Sequence, residues 1–199
     1  MRTLTIIISN KPTGETYHAR SYPHDDRNNN GLIELYGVPV YKVFLVVKGK
    51  PRKEWRALRF MPYWNNPKAP EKKYKSRGWV NAGLSGKIHR KVVERYFPKY
   101  GVQNRYSPHQ GAIQIRGNYL IHSGPQKLSE AGWGAAGCVE IVGDFSKFKQ
   151  DIRDLAEVKV PDVDRALTRM VNRGKLLLTI QPARAPRIRK NFIGEAFPQ

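Results

Sequence analysis

One cysteine, Cys138, occurs in 199 residues, so no disulfide within the chain can staple the fold, and stability has to come from packing. Long apolar runs are missing too. The longest, Ile6–Ile8 and Val43–Val47, fall far short of the roughly 20 residues a membrane-spanning helix needs. Glycine (17) and proline (14) are too few for a collagen-like or low-complexity chain. Acidic residues are the scarcest resource: 16 Asp and Glu face 36 Lys and Arg, a net charge of +20. What remains is a foldable chain with 40% apolar residues and a strong preference for anionic partners, whether nucleic acid, anionic lipid or an acidic envelope polymer.

The basic residues do not form one stripe. They concentrate in 68–77, in 87–95, and in a tail carrying Arg184, Arg187, Arg189 and Lys190. No zinc-finger spacing, RNP motif or basic region followed by heptads accompanies them. Binding of nucleic acid or another polyanion by a non-enzymatic basic module therefore stands as an alternative to any enzymatic reading. The stretch Thr3–Ile8 turns polar at Ser9-Asn10-Lys11-Pro12, too short for a secretory h-region, and predicts a chain made in the cytoplasm with no export signal of its own.

Thr3–Ile8 reads as a strand ended by Asn10-Lys11-Pro12-Thr13-Gly14, followed by a polar loop over 18–31. Leu32–Tyr36 and Val40–Val47, bracketing Gly37-Val38-Pro39, read as consecutive antiparallel strands, and 55–60 continues the pattern less clearly. Residues 63–77, rich in Pro and Lys, read as a surface excursion. In 86–100 the spacing of Ile88, Val92 and Tyr96 predicts an amphipathic helix stopped near Pro98. Ala112–Arg116 and Tyr119–His122 alternate around Gly117-Asn118 as a tight hairpin. Val139–Val142 is a short strand, Asp144 caps a helix with Phe145, Phe148, Ile152 and Leu155 on one face, and a further helix spans 162–173 with Gly174 as its stop. Residues 175–181 form a final strand. The expectation is an α+β fold with a mostly antiparallel core and about three peripheral helices. It comprises a single domain over 1–182 and a basic tail over 183–199, on the surface or loosely ordered.

Cys138 follows Gly134-Ala135-Ala136-Gly137. Small residues let main-chain amides turn toward one point, so Gly137 and Ala136 are the expected oxyanion donors beside the thiol. His122 stands 16 residues upstream, at the end of a predicted strand, and can meet a cysteine on a loop entering the neighbouring strand. A thiol with a reference pKa near 8.5 is a poor nucleophile until an imidazole or another base activates it. As a pair, the two residues are suited to acyl transfer, which requires them within about 4 Å of each other. Each residue alone is an ordinary structural one. Around them, Tyr106 lines a groove or sits in a surface turn, and Trp133 either walls a pocket or anchors the loop. Ser123 bonds the site or the turn, and Arg116 is placed to receive a carboxylate. His18, His24 and His89 lack partners at metal-ligand spacing, so neither a metal nor a cofactor is expected.

The segment Ile121-His122-Ser123-Gly124, followed by Gly137-Cys138-Val139, resembles the catalytic domain of the L,D-transpeptidases. That family's pattern is His-Gly-Thr/Ser, a loop of a dozen or so residues, then Ser-His-Gly-Cys-Ile/Val-Arg. The resemblance covers residues 112 to 142, with Ala135-Ala136 in place of Ser-His and Glu140 in place of Arg, as in a divergent branch. It implies a β-sandwich-like core of the L,D-transpeptidase type, Cys138 as nucleophile and His122 as base, with Ser123, Gly124, Trp133, Arg116 and Tyr106 toward substrate. It also implies peptidoglycan stem peptides as substrate, with transpeptidation, D-amino acid exchange or L,D-carboxypeptidase cleavage as the outcome. Relatives of this kind include antibacterial effectors and phage-borne proteins. The expected site of action is therefore the periplasm or envelope, reached through a secretion system or phage, with an immunity or delivery protein as partner.

Overall fold

A computed structural model of the protein describes residues 1–26, 29–64, 78–79, 88–101 and 110–196. In chain order these form β1 (Leu4–Arg20), β2 (Tyr22–Pro23), β3 (Ile33–Val47), β4 (Lys53–Leu58), β5 (Pro62–Trp64), β6 (Gly78–Trp79), β7 (Ile88–Val92) and β8 (Tyr96–Phe97). There follow β9 (Ala112–Arg116), β10 (Tyr119–Ser123), β11 (Val139–Val142), helices α1 (Phe145–Leu155) and α2 (Val163–Asn172), then β12 (Leu176–Ile180) and β13 (Phe192–Ala196). One large mixed sheet runs β7-β12-β1-β3-β4-β11-β10-β9-β8, with β13 also paired on β3. The pairs β1–β12 and β10–β11 are parallel. Strands β2, β5 and β6 make a separate small sheet.

The two edge strands of the large sheet are neighbours in sequence. Only Val93, Glu94 and Arg95 separate β7 from β8. Val93 N–H reaches Leu176 O at 2.9 Å on one side of this corner, and Arg95 O accepts from Gln114 N–H at 3.0 Å on the other. The sheet therefore curls until its edges meet. Inward side chains from both ends of the strand order share one core: Leu4, Ile6 and Ile8 of β1, Val43 and Leu45 of β3, Ile113, Ile121, Val139, Ile141 and Leu178, closed over by Phe145, Phe148 and Ile152 of α1 and Leu167 and Met170 of α2. Each such side chain fully removed from water contributes about 1.5–3 kcal/mol. A smaller cluster, with Tyr17, Val38, Val40, Tyr41, Leu58, Phe60, Ala135 and Val142, fills the far half of β1 and β3. Its buried cation, Arg59, donates from Nη1 to Ser9 O at 2.9 Å and lies over the Tyr41 ring; burial draws its guanidinium down to about 10.

The α+β character, the hairpin, β11, both capped helices and β12 stand where the sequence puts them, but β12 is not the final strand, since β13 follows it. Asp144 Oδ1 accepts from Lys147 N–H at 3.1 Å and Asp162 Oδ1 from Arg165 N–H at 2.7 Å. Gly174 ends α2 with φ of +61°. The helix expected over 86–100 is not there. Residues 88–92 and 96–97 are strands, because a spacing of four suits strand alternation as well as a helical turn, and the β-branched pair Val92-Val93 enters the sheet. Two α-helices and one short 3-10 helix, Ile188–Asn191, occur among the described residues.

The turn signal at residues 10–14 ends nothing. β1 runs 17 residues through it and absorbs it as register shifts between Ile8 and Pro12 and between Pro12 and Thr16. Likewise β3 is one strand of 15 residues, not two. Its Gly37–Pro39 segment pairs with β1 on one side. On the other it falls between the end of β13 pairing at Tyr36 and the start of β4 pairing at Val40. A proline is tolerated in such a gap, and Asn191 Nδ2 fills it by donating to Gly37 O at 2.7 Å. The basic segment after Pro182 lies on the surface, tied rather than loose: Trp79 Nε1 donates to Pro186 O at 2.6 Å and β13 adds to the sheet. Most of the expected excursion over 63–77 lies outside the described residues.

Candidate active site

The β10–β11 pair builds the site. Its parallel register sets Ile121 beside Val139 and His122 beside Glu140. Ile121, Val139 and Ile141 face the main core, so alternation turns His122 and Glu140 to the sheet's other face. Cys138, one residue before β11, belongs to that face and lies level with the start of β10: its Sγ donates to Asn118 O at 3.9 Å and is reached by the Leu120 amide. Two residues along a strand and one strand across place the Cα atoms of Cys138 and His122 about 8 Å apart.

His122 is buried, and its Nδ1 lies 2.8 Å from Ser123 O. A carbonyl only accepts, so Nδ1 carries the proton and Nε2 is left with its lone pair. Burial pulls the imidazole's pKa down, the Ser123 carbonyl opposing in part; the ring is neutral at neutral pH. The Cys138 thiol is pushed up by burial, with the Leu120 amide lowering it and Glu140 raising it further. Glu140 has its carboxyl pushed up to about 8 by burial. The resting site is thus an uncharged trio: thiol, neutral imidazole with a defined tautomer, and carboxylic acid. The thiol and the imidazole are not hydrogen-bonded to each other, since each holds a backbone carbonyl instead.

The small residues before Cys138 have packing causes of their own. A Cβ on Gly132 would come within 2.5 Å of Tyr17 Oη, and one on Gly134, at φ of +82°, within 2.5 Å of Phe60 O. The loop is pinned there by Arg20 N–H to Gly132 O at 2.8 Å and Ala135 N–H to Phe60 O at 3.2 Å. Gly137 N–H, expected to face an oxyanion, donates to Ala135 O at 3.1 Å. Ala136 is half-buried beside it. Gly124 is required by contact as well, since its Cβ would sit 2.8 Å from Glu140 Cβ.

Ser123 is buried and supplies the carbonyl that orients His122. Trp133 is 44% exposed, with the Arg20 guanidinium 6.0 Å from its ring centroid, so it does not anchor the loop in the core. Arg116 is exposed at the hairpin end where the thiol points, with no ion pair among the described residues. Tyr106 lies outside the described residues. Sequence reasoning took Glu140 only as a departure from a pattern; its place two residues after Cys138 on one strand was the signal that it shares the thiol's face.

No group of three or more His, Cys, Asp or Glu among the described residues is arranged to hold a metal ion, and no helix among them is long and apolar enough to cross a membrane. Neither a protein-family model, nor a curated protein, nor a solved structure matches this chain.

Proposed function

We propose that the protein is a cysteine acyl transferase of the L,D-transpeptidase kind, acting on peptidoglycan stem peptides in the bacterial envelope. The observation that carries this reading is the His122 Nδ1 to Ser123 O bond at 2.8 Å, on the strand next to the only cysteine and on the same face of the sheet. It fixes the tautomer in which Nε2 is a proton acceptor. The reaction requires the thiol to leave Asn118 O and reach that nitrogen.

In the reaction, His122 Nε2 takes the thiol proton as sulfur attacks the carbonyl of an L,D-peptide bond. The C–N bond breaks, the imidazolium returns the proton to the departing D-amino acid's amine, and a thioester remains on Cys138. The amine of a second stem, a free D-amino acid or water then takes the acyl group, giving a cross-link, exchange or shortening. Because burial disfavours the thiolate and the imidazolium alike, attack proceeds by general-base catalysis from a neutral pair rather than from a standing ion pair. Amides of Ala136 and Gly137 serve the tetrahedral oxygen once Gly137 N–H leaves Ala135 O, and Arg116 receives a stem carboxylate. The excess of positive charge suits a polymer bearing carboxylates. Delivery by a secretion system or phage, with an immunity protein held by the producing cell, completes the reading.

The test is incubation with sacculi rich in tetrapeptide stems, with and without a free D-amino acid, and mass spectrometry of the muropeptides. Cross-links, exchanged termini or shortened stems are expected, absent with Cys138→Ser and reduced about a thousandfold with His122→Gln, a loss typical of general-base removal. Unchanged muropeptides under every acceptor condition overturn the reading.

A further inference from the structure

Away from that site, α2 presents Arg165, Arg169 and Arg173 at intervals of four residues, so they rise along one face about 6 Å apart. All three line a cleft of about 460 Å³ whose other walls are Pro98, Thr168, Asn172 and Asp164. None of the three makes a salt bridge among the described residues, while the one acid in the cleft is already committed. Asp164 Oδ1 accepts from Tyr96 Oη at 2.5 Å and from Lys149 Nζ at 2.7 Å, and so does not neutralise the arginines. Those same bonds lock α2 to β8 and to α1, which fixes the cleft before any ligand arrives.

Opposite α2 the cleft is walled by Pro98, and the residues next to Pro98 in the chain are aromatic and basic. Phe97 and Tyr100 flank Pro98 with ring centroids 6.1 Å apart, Tyr100 is 43% exposed, and the Arg95 guanidinium lies 4.8 Å from the Phe97 centroid. Lys99 is exposed between them. Guanidinium forks hold phosphates in bidentate geometry, and exposed rings offer a face to bases.

We propose that this cleft is a binding site for single-stranded nucleic acid, with Arg165, Arg169 and Arg173 on successive phosphates and Tyr100 stacking on a base. An acidic protein surface would use the arginines and leave Tyr100 idle, and a polyphosphate would do the same, so the exposed Tyr100 ring beside the cleft, two residues from Pro98, favours a nucleic acid. The site is independent of the acyl-transfer reading, because none of its residues touches Cys138 or His122.

The experiment is fluorescence anisotropy of the full chain with a labelled oligothymidine across a salt series. Replacing all three α2 arginines with glutamine is expected to weaken binding at least about a hundredfold and to flatten the slope of log affinity against log salt by about 2, the share of three phosphate contacts. Tyr100→Ala is expected to weaken binding at least roughly fivefold without altering that slope. The control removes the same charge elsewhere: Arg184→Gln, Arg187→Gln and Arg189→Gln together are expected to change affinity by less than about threefold, the distant charges being screened. Thermal melting of each variant confirms the fold. The proposal is overturned if the folded α2 variant binds as the parent does, if the tail variant loses as much, or if Tyr100→Ala is silent while polyphosphate competes as well as oligothymidine.

Discussion

Two sets of buried and half-buried ionisable side chains lie on opposite sides of the same sheet, and they are treated differently. Between α1, α2 and β8, Lys149 Nζ holds Asp164 at 2.7 Å and Tyr96 Oη at 3.2 Å, and Tyr96 Oη holds Asp164 in turn. Every member has a partner of matching character, and burial followed by the Asp164 acceptor drives the Tyr96 phenol far above its ordinary range. On the other face, His122 and Cys138 bond only main-chain groups, the Ser123 and Asn118 carbonyls and the Leu120 amide, and the Glu140 side chain has no hydrogen-bond partner among the described residues. The first set cross-braces three elements. The second is held neutral by burial and leaves His122 Nε2 and the Glu140 carboxyl without a hydrogen-bond partner among the described residues.

The sharpest way to break this contrast is at Asp164. Asp164→Ala strands the Lys149 ammonium, 7% exposed, and is expected to cost about 2 kcal/mol, less than a fully enclosed pair because the Asp164 side chain is 41% exposed. Urea unfolding measures it. Adding Lys149→Met to the same chain removes the stranded charge and is expected to recover most of the loss; a pair as unstable as the single variant would show that the cluster is not the brace described. The cleft proposed for nucleic acid would loosen in parallel, since the same bonds fix its walls.

A pH dependence sharpens the other side. Glu140 has its carboxyl at about 8 in the folded protein against an ordinary value of 4.5. Below about 4.5 both folded and unfolded chains are protonated there. As pH rises from 4.5 to 8 the unfolded chain gives up a proton that the folded chain keeps, so stability falls across that window and levels off above it. Glu140→Gln is expected to remove this slope across the same window. Parallel stability curves for parent and variant would show that Glu140 ionises freely, and the uncharged trio around Cys138 would lose a member.

How much of this was legible beforehand follows from which signals are local. Caps are: Asp144, Asp162 and Gly174 act on atoms within a few residues, and both helices stand where their spacing put them. The hairpin around Gly117-Asn118 is local as well. The strand at 88–92 is not, because its choice over a helix is made by β12 and by the corner that closes the sheet, contacts some 85 residues distant in sequence. Pro12, Gly14 and Pro39 carry turn chemistry that a long strand can take up as a bulge or a gap, and only the neighbouring strands reveal which. In the candidate site, the sequence brought His122 and Cys138 to adjacent strands on the strength of strand order alone. It could not show that Gly132 and Gly134 are small because Tyr17 and Phe60 press on them, that Gly137 N–H is already engaged, or that the thiol rests on Asn118 O.

Trp133 offers the smallest and most discriminating test. Its ring is 44% exposed and its one ring contact among the described residues is the Arg20 guanidinium at 6.0 Å, a cation–π pair worth about 0.5–1 kcal/mol at an exposed site. Trp133→Ala is therefore expected to lower stability by less than about 1 kcal/mol, unlike the loss of three or more that a core tryptophan brings. A loop so weakly tied through its largest side chain, yet clamped at Gly132 and Ala135 by main-chain bonds, keeps its course without the indole. If the ring borders the route to Cys138, the same variant raises KM for stem peptides severalfold and leaves kcat alone, the signature of uniform binding. A large stability loss would instead move Trp133 back among the structural residues, and the contrast between a braced side and an open side of the sheet would be the poorer for it.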